Sequence, residues 1–409
     1  MDFNVCWIYL YLKILLMKIV FLTEDIFGES VGGVEFHIYN ISKELAKLKN
    51  DIFIISLRIG KKSDYSKKLI FTSKNNSKVW LIKITKKNFF FNSLEFLNKR
   101  FAGTMGMIVG LISKIIPNFF YKSLINEVDK LNPDLVHQHD YLANIVASKK
   151  LSKKYPIIFT NHTGQYLYLE KFFLGRVLQK YLIKHYKYII GPSNELTPKK
   201  SNATYISNGV DINFFDGKKI KKEIEKTIFI CPRRWAPTKG IIYLADAILK
   251  LDDNTRSKSL FLFAGSESND YLWYKDKVLK KLNKLPENTF KLLGNLDQEE
   301  LKKNYLSSDV VIIPSLMEAT SLAAMEAMSC GLPVLSSNVG GMPEIITNGK
   351  TGWLVEKENS SILANLIEEI VNNKFNILEM GLDAKDFVIN NKSWKKIAYE
   401  TNKIYLQLF

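Results

Sequence analysis

Short runs of apolar, β-branched residues recur along nearly the whole chain, and stretches of helical period fill most gaps between them. In the first half the runs lie at 18–22, 52–57, 79–84, 134–139, 156–161 and 187–191. In the second half they lie at 203–207, 227–231, 260–264, 290–293, 310–314, 333–336 and 352–355. Helical patterns cover 34–49, 240–251, 270–285, 297–307 and 321–330. A strand apolar at successive positions is buried on both faces, as in parallel sheets covered by helices. So many strands exceed one comfortable open sheet. The pattern therefore predicts an α/β chain of two doubly wound, Rossmann-like domains facing across a cleft. Gly191-Pro192-Ser193 and the turn Asn208-Gly209 place the break near 191–212. The expected division is an N-terminal extension 1–16, a first domain 17–195, a second domain 196–388 and a C-terminal helix 389–409. Ligands of such folds bind beyond the carboxyl ends of the strands, so functional motifs should follow strands.

The length, 409 residues, suits two domains, and 46% apolar residues can fill two cores. A formal charge of +17 admits nucleic acid, an anionic membrane or an anionic substrate as partner. It also follows from plain lysine enrichment, because arginine is scarce; adjacent Arg233 and Arg234 stand out for that reason. Cys6, Cys231 and Cys330 have no short spacing, which excludes a disulfide framework or a cysteine zinc site and suits a reducing cytoplasm. The first 22 residues are apolar, but Asp2 leads them and Lys13 and Lys18 interrupt them, unlike a secretory signal. Met17 to Leu22 reads as the first core strand, with residues 1–16 an upstream extension or, alternatively, an anchor.

Several motifs fall where a site is expected. Gly32-Gly33-Val34-Glu35 opens a helix after strand 18–22, where backbone N–H groups can approach an anion. His137-Gln138-His139-Asp140 ends strand 134–139, and Asn161-His162-Thr163 ends strand 156–161. His137 and His139 share a face, but no third ligand follows by spacing, so no metal site is expected. His162 can donate to a reacting hydroxyl. Strand 227–231 runs into Arg233-Arg234 and Lys239-Gly240, where an arginine fork and a lysine point charge suit a diphosphate. Asp-x-Asp, a common way to hold a cation on a sugar nucleotide, occurs nowhere, so fixed cations can do a metal's work. The most specific stretch is Pro314 to Val334: a strand end, a polar loop with Glu318, then a helix from Ser321 and Leu322 through Glu326 to Gly331. Eight residues of helix span roughly 12 Å. That exceeds the ~5 Å and ~6.5–9.5 Å carboxylate gaps of retaining and inverting glycosidases. Two anchors at opposite ends of a sugar nucleotide, with the helix N-terminus toward its phosphates, fit that spacing.

With these residues in place, the chain from Met17 onward resembles glycosyltransferase family 4, a large GT-B family. The resemblance rests on Glu318 and Glu326 as the family's Glu-x7-Glu, on Cys330-Gly331-Leu332-Pro333-Val334, on Gly340-Gly341-Met342-Pro343-Glu344, and on Gly349-Lys350-Thr351-Gly352. Gly32-Gly33-Val34-Glu35, Asn208-Gly209-Val210-Asp211, Arg234 with Lys239-Gly240, and Phe263-Ala264-Gly265 support it. It implies a retaining transfer of a hexose-type sugar from a nucleoside-diphosphate sugar, UDP- or GDP-linked, with no metal and no cofactor beyond that co-substrate. By the resemblance, Arg234 and Lys239 hold the diphosphate, Glu326 the ribose and Glu318 the sugar. Ser321 and Leu322 border the donor, and Gly33 approaches its phosphate. His162, with His139, lies on the acceptor side, and His162 and Glu318 are the expected catalytic pair. The last helix, with Trp394 and Tyr405, is expected to return to the first domain. Where the family commonly has Glu-Gly-Phe-Gly, this chain has Glu318-Ala319-Thr320-Ser321, which narrows the pocket and leaves the donor sugar open.

Residues 86–124 interleave Lys86, Lys87, Lys99, Arg100, Lys114 and Lys122 with aromatics around an apolar run too short to span a bilayer. With Tyr166 to Lys187, this suits an interfacial contact with anionic lipid and hence a lipid-linked or polysaccharide acceptor. The expected location is cytoplasmic, peripheral on the inner face of the membrane, with no nucleic-acid partner. A sugar-nucleotide epimerase or phosphorylase on the same fold, or a basic binding protein with a dead site, are the alternatives.

Overall fold

A computed structural model describes residues 16–24, 33–87, 115–139, 142–162, 173–220, 225–267 and 271–409. The expectations for residues 1–15, Gly32, Asp140, 88–114 and 163–172 lie outside the described residues. The chain forms two compact units, Met1–Ser207 with Trp394–Phe409, and Asn208–Ser393.

The first unit carries an eight-stranded sheet. Its strands are β1 Lys18–Thr23, β2 Asp51–Gly60, β3 Asp64–Thr72, β4 Lys78–Lys87, β5 Leu135–Gln138, β6 Ile157–Thr160, β7 Tyr188–Gly191 and β8 Ala203–Tyr205. Their order is β3-β4-β2-β1-β5-β6-β7-β8, and every pair is parallel except β3 with β4. The run near 203 was expected in the second domain. It pairs with β7 instead, Ile189 opposite Ala203, so the division falls after Ser207 and not at 195. β3 has no counterpart among the apolar runs: DYSKKLIFT is mostly exposed, because it is an antiparallel edge strand held by β4 alone.

The second unit carries six parallel strands, β9 Thr227–Pro232, β10 Ser259–Ala264, β11 Phe290–Gly294, β12 Val310–Ile313, β13 Val334–Ser337 and β14 Gly352–Val355. Their order is β11-β10-β9-β12-β13-β14, a doubly wound sheet. Alternate residues feed opposite cores. Phe229, Cys231, Phe261, Phe263 and Ile312 enter one, while Ile228, Ile230, Leu262, Val311 and Ile313 enter the other. Both faces are thus apolar, which is why these strands read as unbroken runs.

The helix Ile377–Asn391 stays with the second unit, so the segment that rejoins the first begins at Trp394, not at 389. The helix Trp394–Leu406 packs on the helix Gly33–Lys47, with the Asn50 amide donating to Asn402 Oδ1 at 3.0 Å. No helix among the described residues is long and apolar enough to cross a membrane.

Candidate active site

In the second unit, β9 and β12 are neighbours, with Phe229 opposite Val310. The loops leaving their carboxyl ends are therefore thrown together. Two glycines make the approach possible. Gly240 has φ 65°, and a Cβ there would run into the Pro314 carbonyl oxygen. Gly340, after β13, has φ 52°, and a Cβ would run into the Glu318 carbonyl oxygen. The Leu316 N–H donates to the Thr238 carbonyl at 2.9 Å, tying the two loops directly.

Glu318 is the hub of this cluster. Its carboxylate accepts from Lys239 Nζ at 2.7 Å and from the guanidinium of Arg233. Arg233 also donates to Ser321 Oγ at 3.3 Å. Ser321 caps the helix Leu322–Ser329 by accepting from the Ala324 N–H. Arg233 and the Glu318 side chain are both 8% exposed, so these charges are largely out of water and depend on one another. Burial, with the charges of Arg233 and Arg234, pushes the Lys239 ammonium down to about 6. The Glu318 carboxylate at 2.7 Å works the other way and favours the charged ammonium. Burial likewise lowers Arg233 to about 10, which leaves it cationic at neutral pH.

Glu326 lies on the capped helix and is buried. Desolvation raises its carboxyl to about 7, against the pull of the Arg233 charge and of a hydrogen bond from Tyr305. It is poised to change charge near neutrality. Leu322 is the first residue of that helix, so Ser321 and Leu322 stand at its N-terminus, where first-turn backbone N–H groups lack intrahelical partners. Glu318 thus lies in the loop before the helix and Glu326 within the helix, as the spacing predicts.

Arg234, singled out by its spacing to Lys239, is exposed and forms no ion pair among the described residues. It is Arg233 that turns inward to Glu318.

In the first unit, β1, β5 and β6 are adjacent and their carboxyl ends present a histidine cluster. His139 follows β5 and His162 follows β6. His37 comes from the helix Gly33–Lys47, whose exposed first residue is Gly33. His139 Nδ1 and His162 Nε2 meet at 3.2 Å, and the His37 ring stands edge-on to His162 with centroids 4.5 Å apart. His137 and His139 do share a face, their ring centroids 4.2 Å apart. Both His137 nitrogens are engaged, one with the Tyr405 hydroxyl at 2.6 Å and one with Thr160 Oγ1 at 2.7 Å. His137 thus secures the C-terminal helix. Burial first, then neighbouring imidazoles, holds His139 and His162 well below the usual histidine range, so both are neutral at pH 7. His37, His139 and His162 each bring a nitrogen within 4.8 Å of the others. The third histidine absent from the spacing of strand 134–139 is thus supplied by a helix distant in sequence.

Comparison with known proteins agrees with this architecture. The "Glycosyltransferase Family 4" model matches residues 31–214, and the "Glycosyl transferases group 1" model matches 213–394. An uncharacterized glycosyltransferase of Methanocaldococcus jannaschii is 26% identical over 405 residues, covering 96% of this chain and 99% of its own length. D-inositol 3-phosphate glycosyltransferase of Corynebacterium efficiens is 33% identical over 107 residues, 26% of this chain and 25% of its own. Among solved structures, sucrose-phosphate synthase from Thermosynechococcus elongatus superposes with a TM-score of 0.73 at 19% identity, over 96% of this chain and 99% of that one. Anabaena HepE, solved with UDP and glucose, gives 0.69 at 17% identity, over 96% and 100%. These likenesses carry the GT-B fold, and the two family models together run from residue 31 to residue 394. The chain belongs to the family 4 glycosyltransferases and is a glycosyltransferase enzyme of two doubly wound domains.

Proposed function

We propose that the protein moves a hexose-type sugar from a nucleoside-diphosphate sugar to a glycan or lipid-linked acceptor, with retention at the anomeric carbon and without a divalent metal. The observation that carries this reading is the meeting of Lys239, Arg233 and Glu318 at adjoining strand ends, with Glu326 desolvated in the helix that follows. As the bond from anomeric carbon to phosphate oxygen breaks, negative charge grows on the diphosphate. Lys239 and Arg234 meet that charge, and preorganised cations in a partly desolvated loop do so with little reorganisation. Arg233 holds Glu318 where the sugar must be oriented, and Glu326 takes the ribose. Gly33 approaches the phosphate, and His162 with His139 serves the sugar and acceptor side. A UDP-linked donor is favoured by the likeness to HepE, solved with UDP-glucose.

A membrane-bound acceptor is supported by the helix Phe173–Leu182. Phe173, Val177, Leu178 and Tyr181 are exposed there beside exposed Arg176 and Lys180. Aromatic and basic side chains on one short helix suit peripheral attachment to the anionic inner face of a membrane.

The test is a transfer assay with UDP- and GDP-sugars in EDTA. Activity unchanged by EDTA is expected; activity abolished by EDTA and restored by Mg²⁺ or Mn²⁺ would sink the metal-free reading.

A further inference from the structure

Three imidazoles converge in the first unit, with no carboxylate in the cluster among the described residues. His139 Nδ1 and His162 Nε2 are 3.2 Å apart. Two nitrogens on one tetrahedral zinc ion, at about 2.0–2.1 Å each, are separated by roughly 3.3 Å. A cation can therefore replace the shared proton of that pair at an almost unchanged nitrogen separation, with a tilt of the rings. The widest pair in the cluster lies within 4.8 Å and must close by at most about 1.5 Å to reach tetrahedral spacing, within the sweep of one imidazole ring. The ligands are positioned from three elements: His139 and His162 by adjacent strand ends, His37 by the helix Gly33–Lys47. The ring of His37 also rests edge-on against Trp394, and that of His139 lies 4.7 Å from Phe21. His139 Nε2 is buried with no hydrogen-bond partner among the described residues, which fits a ring whose protonation is set at its other nitrogen.

We propose that His37, His139 and His162 form a binding site for one late first-row transition-metal ion, with Zn²⁺ as the reference occupant. An all-imidazole donor set selects zinc, nickel or copper over Mg²⁺, Mn²⁺ and Ca²⁺, which take oxygen. The site is thus compatible with a transfer that needs no Mg²⁺ or Mn²⁺. Three protein ligands leave a fourth position for water or a hydroxyl. Bound zinc takes the His162 nitrogen away from the acceptor side and acts as a brake on transfer, a consequence that rests on the role of His162 proposed above.

The test uses the tagless full-length chain, stripped of metal. Titration with Co²⁺ should give the visible absorption of a tetrahedral ion at one equivalent, removed by one equivalent of Zn²⁺ and untouched by excess Mg²⁺. His37→Ala and His162→Ala should each lower Zn²⁺ affinity by more than about tenfold at an unchanged melting profile. His185→Ala removes a histidine bonded to Ser148 outside the cluster and should leave affinity intact. If His139→Ala fails to fold, His37→Ala and His162→Ala carry the test. Absence of stoichiometric binding, or equal losses in His185→Ala, overturns the site. Zinc should inhibit transfer by the wild type and not by His37→Ala. Stoichiometric binding without inhibition supports the site and refutes the role given to His162.

Discussion

Arg233 and Glu318 should be energetically coupled, and the size of that coupling can be worked from the structure. Arg233→Met removes the guanidinium that donates to Glu318 and to Ser321 at 3.3 Å. Breaking a buried ion pair from one side costs about 3–5 kcal/mol when the remaining charge is left alone. Glu318 is not left alone, because Lys239 still meets it at 2.7 Å. The expected loss is therefore nearer 2–3 kcal/mol, about that of a hydrogen bond to a charged group with some extra desolvation. Glu318→Gln is worse. It takes the one negative charge from between two cations, and its cost should reach about 3–5 kcal/mol. In the double variant the Arg233–Lys239 repulsion disappears with the arginine, so the double loss should fall short of the sum by about 1–3 kcal/mol. Urea unfolding followed by tryptophan fluorescence measures all four corners, since Trp235 and Trp353 are buried in the second unit. Losses that add within about 0.5 kcal/mol would refute the idea that Arg233 acts through Glu318.

Two further outcomes are expected. Glu326 is raised from 4.5 to about 7, so the folded state holds a proton the unfolded chain has already released. That contribution to stability is full below pH 4.5 and is lost as pH rises through about 7. Ribose binding wants the ionised form, so affinity for free nucleoside diphosphate should rise with pH to a plateau above about 7; Glu326→Gln should flatten that rise in calorimetry, and an unaltered pH profile would count against the ribose role. The protein should pellet with anionic vesicles and release in high salt. Equal partitioning onto neutral and anionic vesicles would refute the membrane reading.

What the sequence made legible follows from burial. Strands apolar on both faces announce themselves, and β9, β10, β12 and β13 stand at the runs that named them. β3 is invisible to that signal because its residues face solvent at a sheet edge. β8 was seen but assigned to the wrong sheet, because a three-residue edge strand carries no mark of its partner. The loop positions were readable wherever a strand end fixed them, as for Glu318 and Lys239. Which of two adjacent arginines turns inward was not, since β9 stops at Pro232 and alternation cannot be carried past it. His37 did leave a trace. It sits four and eight residues before Ile41 and Leu45, on the buried stripe of its helix, and a polar residue on an apolar stripe marks a place where something is held.

The central claim, that Glu318 and Glu326 grip different ends of one donor, is tested most directly by calorimetry with nucleoside diphosphate alone beside steady-state transfer rates. Glu326→Ala should weaken the free nucleotide by ~1–3 kcal/mol, the worth of a hydrogen bond to a charged group. Glu318→Ala should leave nucleotide affinity nearly intact and should depress turnover, because the sugar loses its orientation as charge develops. Nucleotide affinity lost in Glu318→Ala and kept in Glu326→Ala would reverse the assignment, and no change in either quantity would remove this loop from the active site.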